Sequence, residues 1–296
     1  MPPGRHCGFG CLCLLLLALG CAGGGIGSST SPNTPSQPVF GHVFLVVEEN
    51  HSYSEVIGNS DMPYLNSLAS QFGLATQYYA NVHPSIGNYF MLTTGNVETL
   101  DDSFSGTVGD DNIVRELVKV GKSWKCYAEN LPSAGYTGAD SYPYLKHHNP
   151  FAYLGDVVGT SEADNLVPFT QFSADLASGA LPNFSFVVPN ALNDAHDGTL
   201  ADADDWLKQH IDPLLSSSSF QNDGLLIVVF DESEISDVSH GGGHVAAVLV
   251  GSKVKKGFQS STLFQHQSTL RLTLSALGVT NFPGASAAAT DMHEFF

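Results

Sequence analysis

His42-Val43-Phe44-Leu45-Val46-Val47-Glu48-Glu49-Asn50 is the stretch on which the fold reading turns. From Val43 to Val47 the run is apolar and rich in β-branched residues, with no polar alternation. A strand with one wet face alternates, so this one reads as buried on both faces, the mark of a parallel sheet covered by helices. It closes on two carboxylates and an amide, and open α/β sheets hold their ligands at the carboxyl ends of strands.

Working outward, the same pattern returns at Leu225-Leu226-Ile227-Val228-Val229-Phe230, which ends in Asp231-Glu232. Further strands are predicted at 74–80, 123–127, 184–189 and 245–250. Helical spacing is predicted at 62–72, stopped by Gly73, at 111–120, stopped by Gly121, at 170–177, at 203–215 and at 267–277, stopped by Gly278. Residues 134–150 are aromatic, rich in Pro and Gly, and irregular. Strands alternating with helices at this spacing predict an α/β fold, a three-layer α/β/α sandwich around a mostly parallel sheet.

The chain has 296 residues, 43% of them hydrophobic, with no internal repeat, which fits one large folded body. Residues 1–21 read differently. Arg5 and His6 precede the apolar run Leu12 to Leu19, and Gly20-Cys21 follows, the layout of a secretory signal too short to span a bilayer. Ala18-Leu19-Gly20-Cys21 also resembles a bacterial lipobox with Cys21 as the lipidated residue, apart from alanine at a position usually held by leucine. Residues 22–38 are rich in Gly, Ser, Thr and Pro and read as a flexible tether, leaving 39–296 as the functional domain.

Of five cysteines only Cys126 lies beyond the leader, so an exported body has no internal disulfide and depends on its core. That body carries 10 basic and 29 acidic residues, a formal charge of −19. This balance argues against nucleic acid and against anionic membrane as partners, leaving membrane contact to an anchor at Cys21. Phosphate chemistry in so acidic a protein needs a cation from outside, which a divalent metal supplies.

A hydroxyl nucleophile is offered by His83-Pro84-Ser85-Ile86-Gly87-Asn88-Tyr89, which runs into Phe90-Met91-Leu92-Thr93-Thr94-Gly95. Ser85 falls at the start of a helix-like run, where free N–H groups favour an anion. It is either a nucleophile or simply the cap of that helix. Glu49, Asn50, Asp231 and Glu232 form a hard oxygen-ligand set suited to Mg²⁺, Ca²⁺ or Mn²⁺ and tolerable for Zn²⁺. The alternative is that these acids cap loops on an acidic surface. His147, His148, His196, His240 and His244 lie in loops that can supply donors to phosphate where arginine is scarce. Gly241-Gly242-Gly243 either lets backbone approach an oxyanion or forms a plain hairpin loop. Tyr53, Tyr89, Tyr142, Tyr144 and Phe151 either line a lipid-side wall or belong to the core.

Glu49-Asn50-His51-Ser52-Tyr53 after an apolar strand resembles the Glu-Asn-Arg-Ser-Phe signature of the bacterial acid phosphatase and phospholipase C phosphoesterases of the alkaline phosphatase superfamily. Ser85 to Gly95 is similar, without gaps, to the nucleophile segment of nucleotide pyrophosphatases in that superfamily. His148-Asn149-Pro150, the 189–198 loop and Phe230-Asp231-Glu232 resemble further landmarks in the same order. His51 and Tyr53 depart from Arg and Phe, neither a ligand position.

The resemblance implies an alkaline-phosphatase-like fold, Ser85 as a transiently phosphorylated nucleophile, and Glu49, Asn50, Asp231 and Glu232 around a metal that Ser85 also contacts. It further implies Asn88, His148 and His196 on phosphate oxygens, one histidine protonating the leaving alkoxide. The implied activity is that of an exported acid phosphatase acting on small-molecule or lipid phosphate monoesters, phosphoinositides among them. Rival readings are a phospholipase C-type phosphodiesterase and a non-catalytic surface lipoprotein of the same fold. A sulfatase is disfavoured because no Cys/Ser-x-Pro-x-Arg segment is present.

Overall fold

The structure, a computed structural model, describes Met1 and residues 37–296. The predicted signal segment, the lipobox cysteine Cys21 and nearly all of the 22–38 tether lie outside the described residues. Among the described residues no helix is long and apolar enough to cross a membrane.

Among the described residues ten strands form: β1 (His42–Glu48), β2 (Gly73–Ala75), β3 (Tyr78–Tyr79), β4 (Trp124–Ala128), β5 (Leu166–Pro168), β6 (Phe184–Val188), β7 (Gly224–Phe230), β8 (Ala247–Val250), β9 (Phe258–Ser260) and β10 (Phe264–Gln265). Eight of them make one sheet in the order β5-β4-β6-β1-β7-β8-β2-β9, and β10 pairs with β3 apart from it. The two most apolar strands are neighbours: β1 and β7 pair in parallel, with Leu45 against Ile227 and Glu48 against Phe230. On its other side β1 pairs in parallel with β6. Every residue of β6 and β7 is buried, Ser185 of β6 included, as strands covered on both faces require.

The helices are α1 (Tyr53–Val56), α2 (Pro63–Gln71), α3 (Ser85–Met91), α4 (Ile113–Lys119), α5 (Thr170–Ser178), α6 (Leu200–Leu215), α7 (Ser218–Asp223) and α8 (His266–Ala276). α2 packs on α6 and α6 on α7, while α3 and α4 pack on α8, giving the two helical layers of an α/β/α sandwich. α6 begins at Leu200, three residues before the apolar periodicity does. Thr199 and Asp202 form a capping box there, polar residues that a reading of the inner face overlooks.

Two expectations need correction. The predicted strand 74–80 is two short strands, because the chain turns at Thr76, whose N–H and Oγ both bind Ser260 O, before β3 joins β10. The last predicted strand begins at Ala247 and runs antiparallel to β7. It returns through a loop, without the crossover helix that a parallel neighbour needs.

α2 and α6 are tied by one carboxylate. α2 has no side-chain cap of its own. Asp204 of α6, buried, accepts from Tyr64 N (2.7 Å) and Leu65 N (2.8 Å), two otherwise unpaired N–H groups of the first turn. Asp204→Ala is expected to lower stability by about 1–2 kcal/mol. A urea midpoint equal to that of the wild type would refute this role.

Candidate active site

The register of β1 against β7 decides the site. With Glu48 opposite Phe230, the residues that follow each strand meet: Asp231 N donates to Glu48 O, and Asn50 N donates to Asp231 Oδ1 at 3.2 Å. The loop after β6 arrives from the other side, Glu49 N donating to Asp194 O at 2.8 Å. Three strand ends therefore converge on Glu49, whose carboxylate is fully buried.

Ser85 enters this cluster from α3. Pro84 occupies the cap position, and no side-chain cap bond is made there. The Ser85 hydroxyl instead donates to Glu49 Oε2 at 3.2 Å, so the plain capping alternative is set aside. The helix end holds little free anion capacity, since Ile86 N already donates to Asp102 Oδ1 (3.2 Å) and Gly87 N to Pro84 O. One turn on, Tyr89 lies on the same face of the helix and its hydroxyl donates to Glu49 Oε1 at 2.6 Å. Tyr89 is thus a partner of the carboxylate and part of the core.

His148 stacks on the Tyr89 ring, with centroids 5.3 Å apart. Its Nδ1 lies 3.1 Å from Asp194 Oδ2 and its Nε2 3.4 Å from Glu49 Oε1. Burial, reinforced by His196, pushes the His148 pKa down to about 3, so the ring is neutral. With Nδ1 donating to Asp194, Nε2 turns a lone pair toward a carboxylate oxygen. Burial also lowers His147 to about 4. His147, His148 and His196 bring their ring nitrogens within 4.8 Å of one another, and so do the ligand atoms of Glu49, His148 and Asp194.

The acids are charged only at a cost. Burial raises Glu49 well above the usual carboxylate range, with Asp231 and Asp194 adding to it and the Tyr89 hydrogen bond opposing it. Burial holds Asp231 up at about 6 and Asp194 at about 7. Glu232 reaches about 10 through burial, then Asp231 and Asp102. Among the described residues no lysine or arginine pairs with any of the four, and Asp231 Oδ2 is buried without a hydrogen-bond partner. Buried carboxylates with an orphaned oxygen and an imidazole lone pair fit a divalent cation.

Other predicted site residues are engaged elsewhere. Asn88 is fully buried, with Oδ1 accepting from Asn81 N and Val82 N and Nδ2 donating to Val82 O and Glu232 Oε2. Glu232 also faces His83, whose Nδ1 is 3.2 Å from Oε1. Asn50 shows its part through its backbone, in a left-handed conformation with φ of 56°. His196 is exposed, its Nδ1 on Asp197 Oδ1 at 2.9 Å.

His244 lies flat against Tyr53 (4.3 Å) and Tyr79 (4.8 Å), with Nε2 on Thr76 O, and His240 packs on Tyr79. The glycines between them allow close backbone approach: a Cβ at Gly241 would collide with Asn81 O, and one at Gly242 with Val82 O. They bring the 239–243 loop against the segment that leads into Ser85. Tyr144 and Phe151 are buried core, whereas Tyr142 is exposed.

Sequence reading offered Tyr89 only as a lipid-side wall or core residue and did not name Asp194 or His83 as site residues. Tyr89 was accessible from its i+4 relation to Ser85, and Asp194 from its place in the loop after β6. His83 carries no signal beyond adjacency.

Comparison with known proteins bears on the family and the fold. The chain is 35% identical over 228 residues to a phosphatidylinositol-3-phosphatase of Mycobacterium tuberculosis, covering 76% of this chain and 73% of that one. It is 32% identical over 260 residues to an acid phosphatase of Aspergillus fumigatus, covering 82% of this chain and 57% of that relative. A solved protein of the alkaline phosphatase superfamily from Vibrio parahaemolyticus shares the fold at a TM-score of 0.60 and 16% identity, over 83% of this chain and 68% of that one. Residues 59–279 match the model of the Phosphoesterase family. Strand ends that gather buried acids around one serine, and a family match across most of the folded body, lead to one conclusion: this chain belongs to the Phosphoesterase family and is a phosphoric ester hydrolase.

Proposed function

We propose that the protein is an exported, metal-dependent acid phosphatase that hydrolyses phosphate monoesters through a phosphoserine at Ser85. One observation carries this reading: the Ser85 hydroxyl donates to a buried carboxylate, in a cluster of acids that no lysine or arginine among the described residues neutralises. Its relatives' names, an acid phosphatase and a phosphatidylinositol-3-phosphatase, support small or lipid monoesters as substrates. The leader read from residues 1–21, with Cys21 as a lipid-anchor site, supports export.

Glu49 and Asp231, with His148, Asp194, Asn50 and Glu232 beside them, are the residues that would hold the cation. Bound there, a divalent cation would neutralise the carboxylates and acidify the serine hydroxyl. Ser85 Oγ attacks phosphorus in line with the leaving group, an Oγ–P bond forming as the P–O bond to the alcohol breaks. Glu49 Oε2 is the acceptor already in place for the serine hydrogen. His196, oriented through Nδ1 by Asp197, leaves Nε2 for protonating the departing alkoxide. His148, held neutral, positions Glu49 and does not serve as the acid. Water then attacks the phosphoserine, giving a proton to His196 Nε2 as its oxygen bonds to phosphorus, and as Oγ–P breaks Glu49 returns the hydrogen to Ser85 Oγ and phosphate is released.

Side-by-side assays of a phosphomonoester and its phosphodiester test the choice of reaction. Monoester turnover is expected to exceed diester turnover by at least about tenfold. The reverse order would make the protein a phosphodiesterase with the same nucleophile.

A further inference from the structure

The β1–β7 ladder leaves its regular course just past Glu48. Asp231 N donates to Glu48 O, and the next rung of a parallel pair would run from Asn50 N to Asp231 O. Asn50 N instead donates to the Asp231 side chain, 3.2 Å from Oδ1, and Asn50 turns into the left-handed region with φ of 56°. The main-chain oxygen displaced by this exchange finds another donor. It lies 2.6 Å from Nε2 of His266, the first residue of α8.

His266 is fully buried and takes no part in the chemistry described above. Two hydroxyls fix its setting. Nδ1 is 3.1 Å from the Tyr78 hydroxyl, which is 2.6 Å from Oγ1 of Thr269, one turn further along α8. A carbonyl oxygen only accepts, so Nε2 carries the hydrogen. In the neutral ring Nδ1 is then an acceptor, which the Tyr78 O–H fills, and Thr269 donates to the Tyr78 oxygen. Tyr78 and Thr269 are fully buried as well, so no solvent competes along the chain of bonds from Thr269 to Asp231.

The exchange matters for the Asp231 carboxylate. Oδ1 is anchored on Asn50 N, and Oδ2 is left buried and without a hydrogen-bond partner. A main-chain oxygen released from His266 would compete for Asn50 N and complete the ladder, and the carboxylate would lose its anchor. We infer that His266 is a positioning residue: by holding the Asp231 carbonyl out of the ladder, with its tautomer set by Tyr78 and Thr269, it keeps the Asp231 carboxylate turned into the acidic cluster that would hold the cation. This rests on the metal-dependent reading of the site and adds the residue that orients one of its ligands.

Calorimetric titration of the metal-free protein with Mn²⁺ tests it. His266→Leu, which removes the donor, is expected to bind Mn²⁺ at least about tenfold more weakly than the wild type, whereas His266→Gln, whose amide N–H can reach the place of Nε2, should stay within about threefold. A His266→Leu protein that loses urea stability but keeps the wild-type affinity would make His266 a core residue only and overturn the inference, as would a His266→Gln protein as weak as His266→Leu. If His266→Leu does not fold, Tyr78→Phe decides, because it keeps the ring but releases its tautomer: affinity at least about threefold weaker upholds the inference, and unchanged affinity overturns it. Should the wild type bind none of Mn²⁺, Mg²⁺, Ca²⁺ and Zn²⁺, the metal-dependent reading fails instead. Crystal structures of the metal-free variants then decide the positioning alone: Asp231 O bound to Asn50 N in His266→Leu upholds it, and Asp231 Oδ1 still on Asn50 N overturns it.

Discussion

Ser85→Ala is expected to lower phosphomonoester turnover by on the order of 10³-fold or more, because it removes the atom that bonds to phosphorus and leaves only binding and electrostatic assistance. The fold should survive. Ser85 contributes one hydrogen bond to Glu49, while Tyr89 keeps its own on the other carboxylate oxygen, so thermal stability should change little. Two measurements check the assignment together. Wild-type protein quenched in acid during turnover should carry phosphate on Ser85, and Ser85→Ala should carry none. Activity at the wild-type level in the variant would move the nucleophile elsewhere, and the exposed His196 would then be the candidate to test.

The second large effect concerns the cation. Chelation is expected to reduce activity by at least about 100-fold and re-addition of a divalent ion to restore it, since without the ion nothing acidifies the serine hydroxyl or balances the charge of the transferred phosphoryl group. Stability gives an independent readout through its pH dependence. Asp194, held up at about 7, and Glu232, held up at about 10, stay protonated in the folded chain where the unfolded chain would ionise them.

Groups raised in this way contribute stability that is complete below their unfolded pKa and is lost as pH rises through the folded one. His148, lowered to about 3, and His147 and His266, each lowered to about 4, act in the opposite sense, but above about pH 7.5 they are neutral in both states and contribute almost no slope. Between about pH 7.5 and 9 the chelated protein should therefore lose melting temperature, on the order of 5–10 °C, and bound cation should flatten that slope. Identical slopes with and without the ion would mean that the carboxylate cluster does not hold it. Isosteric Asp231→Asn should reproduce the loss of activity and weaken cation binding together.

Much of the fold was legible because its central strands are buried on both faces. A run such as Leu225 to Phe230 has no polar alternation, and burial on two sides leaves no other composition available. The strand at 74–80 misled for the opposite reason. Leu74 to Ala80 is apolar enough to read as one strand, but the hydrogen bonds that stop it at Thr76 come from Ser260, nearly two hundred residues away. The antiparallel return of β8 was hidden likewise, since strand direction is set by the connection and not by the residues in the strand.

The site divides along similar lines. Glu49, Asp231 and Ser85 could be named from sequence because each follows a strand or opens a helix, and strand ends are where such folds collect chemistry, whereas His148 was named only as one of several loop histidines and by resemblance. The roles of Asn88 and His244 could not be read in that way. Their side chains are taken up by Asn81, Val82 and Glu232 in one case and by Tyr53 and Tyr79 in the other, all decided by loop packing.

The sequence by itself determined a mostly parallel sheet, a body without internal disulfides, and acids placed at the ends of its two most apolar strands, because patterning and composition are local properties. Only the tertiary structure decided that those strands are neighbours in register, that Ser85 faces Glu49 in place of capping its helix, and that Tyr89 and Asp194 complete the cluster. The β1–β7 register comes from pairing between segments well over a hundred residues apart, and the Ser85, Tyr89 and Asp194 contacts from packing between separate elements of the chain, so no single segment carries that information.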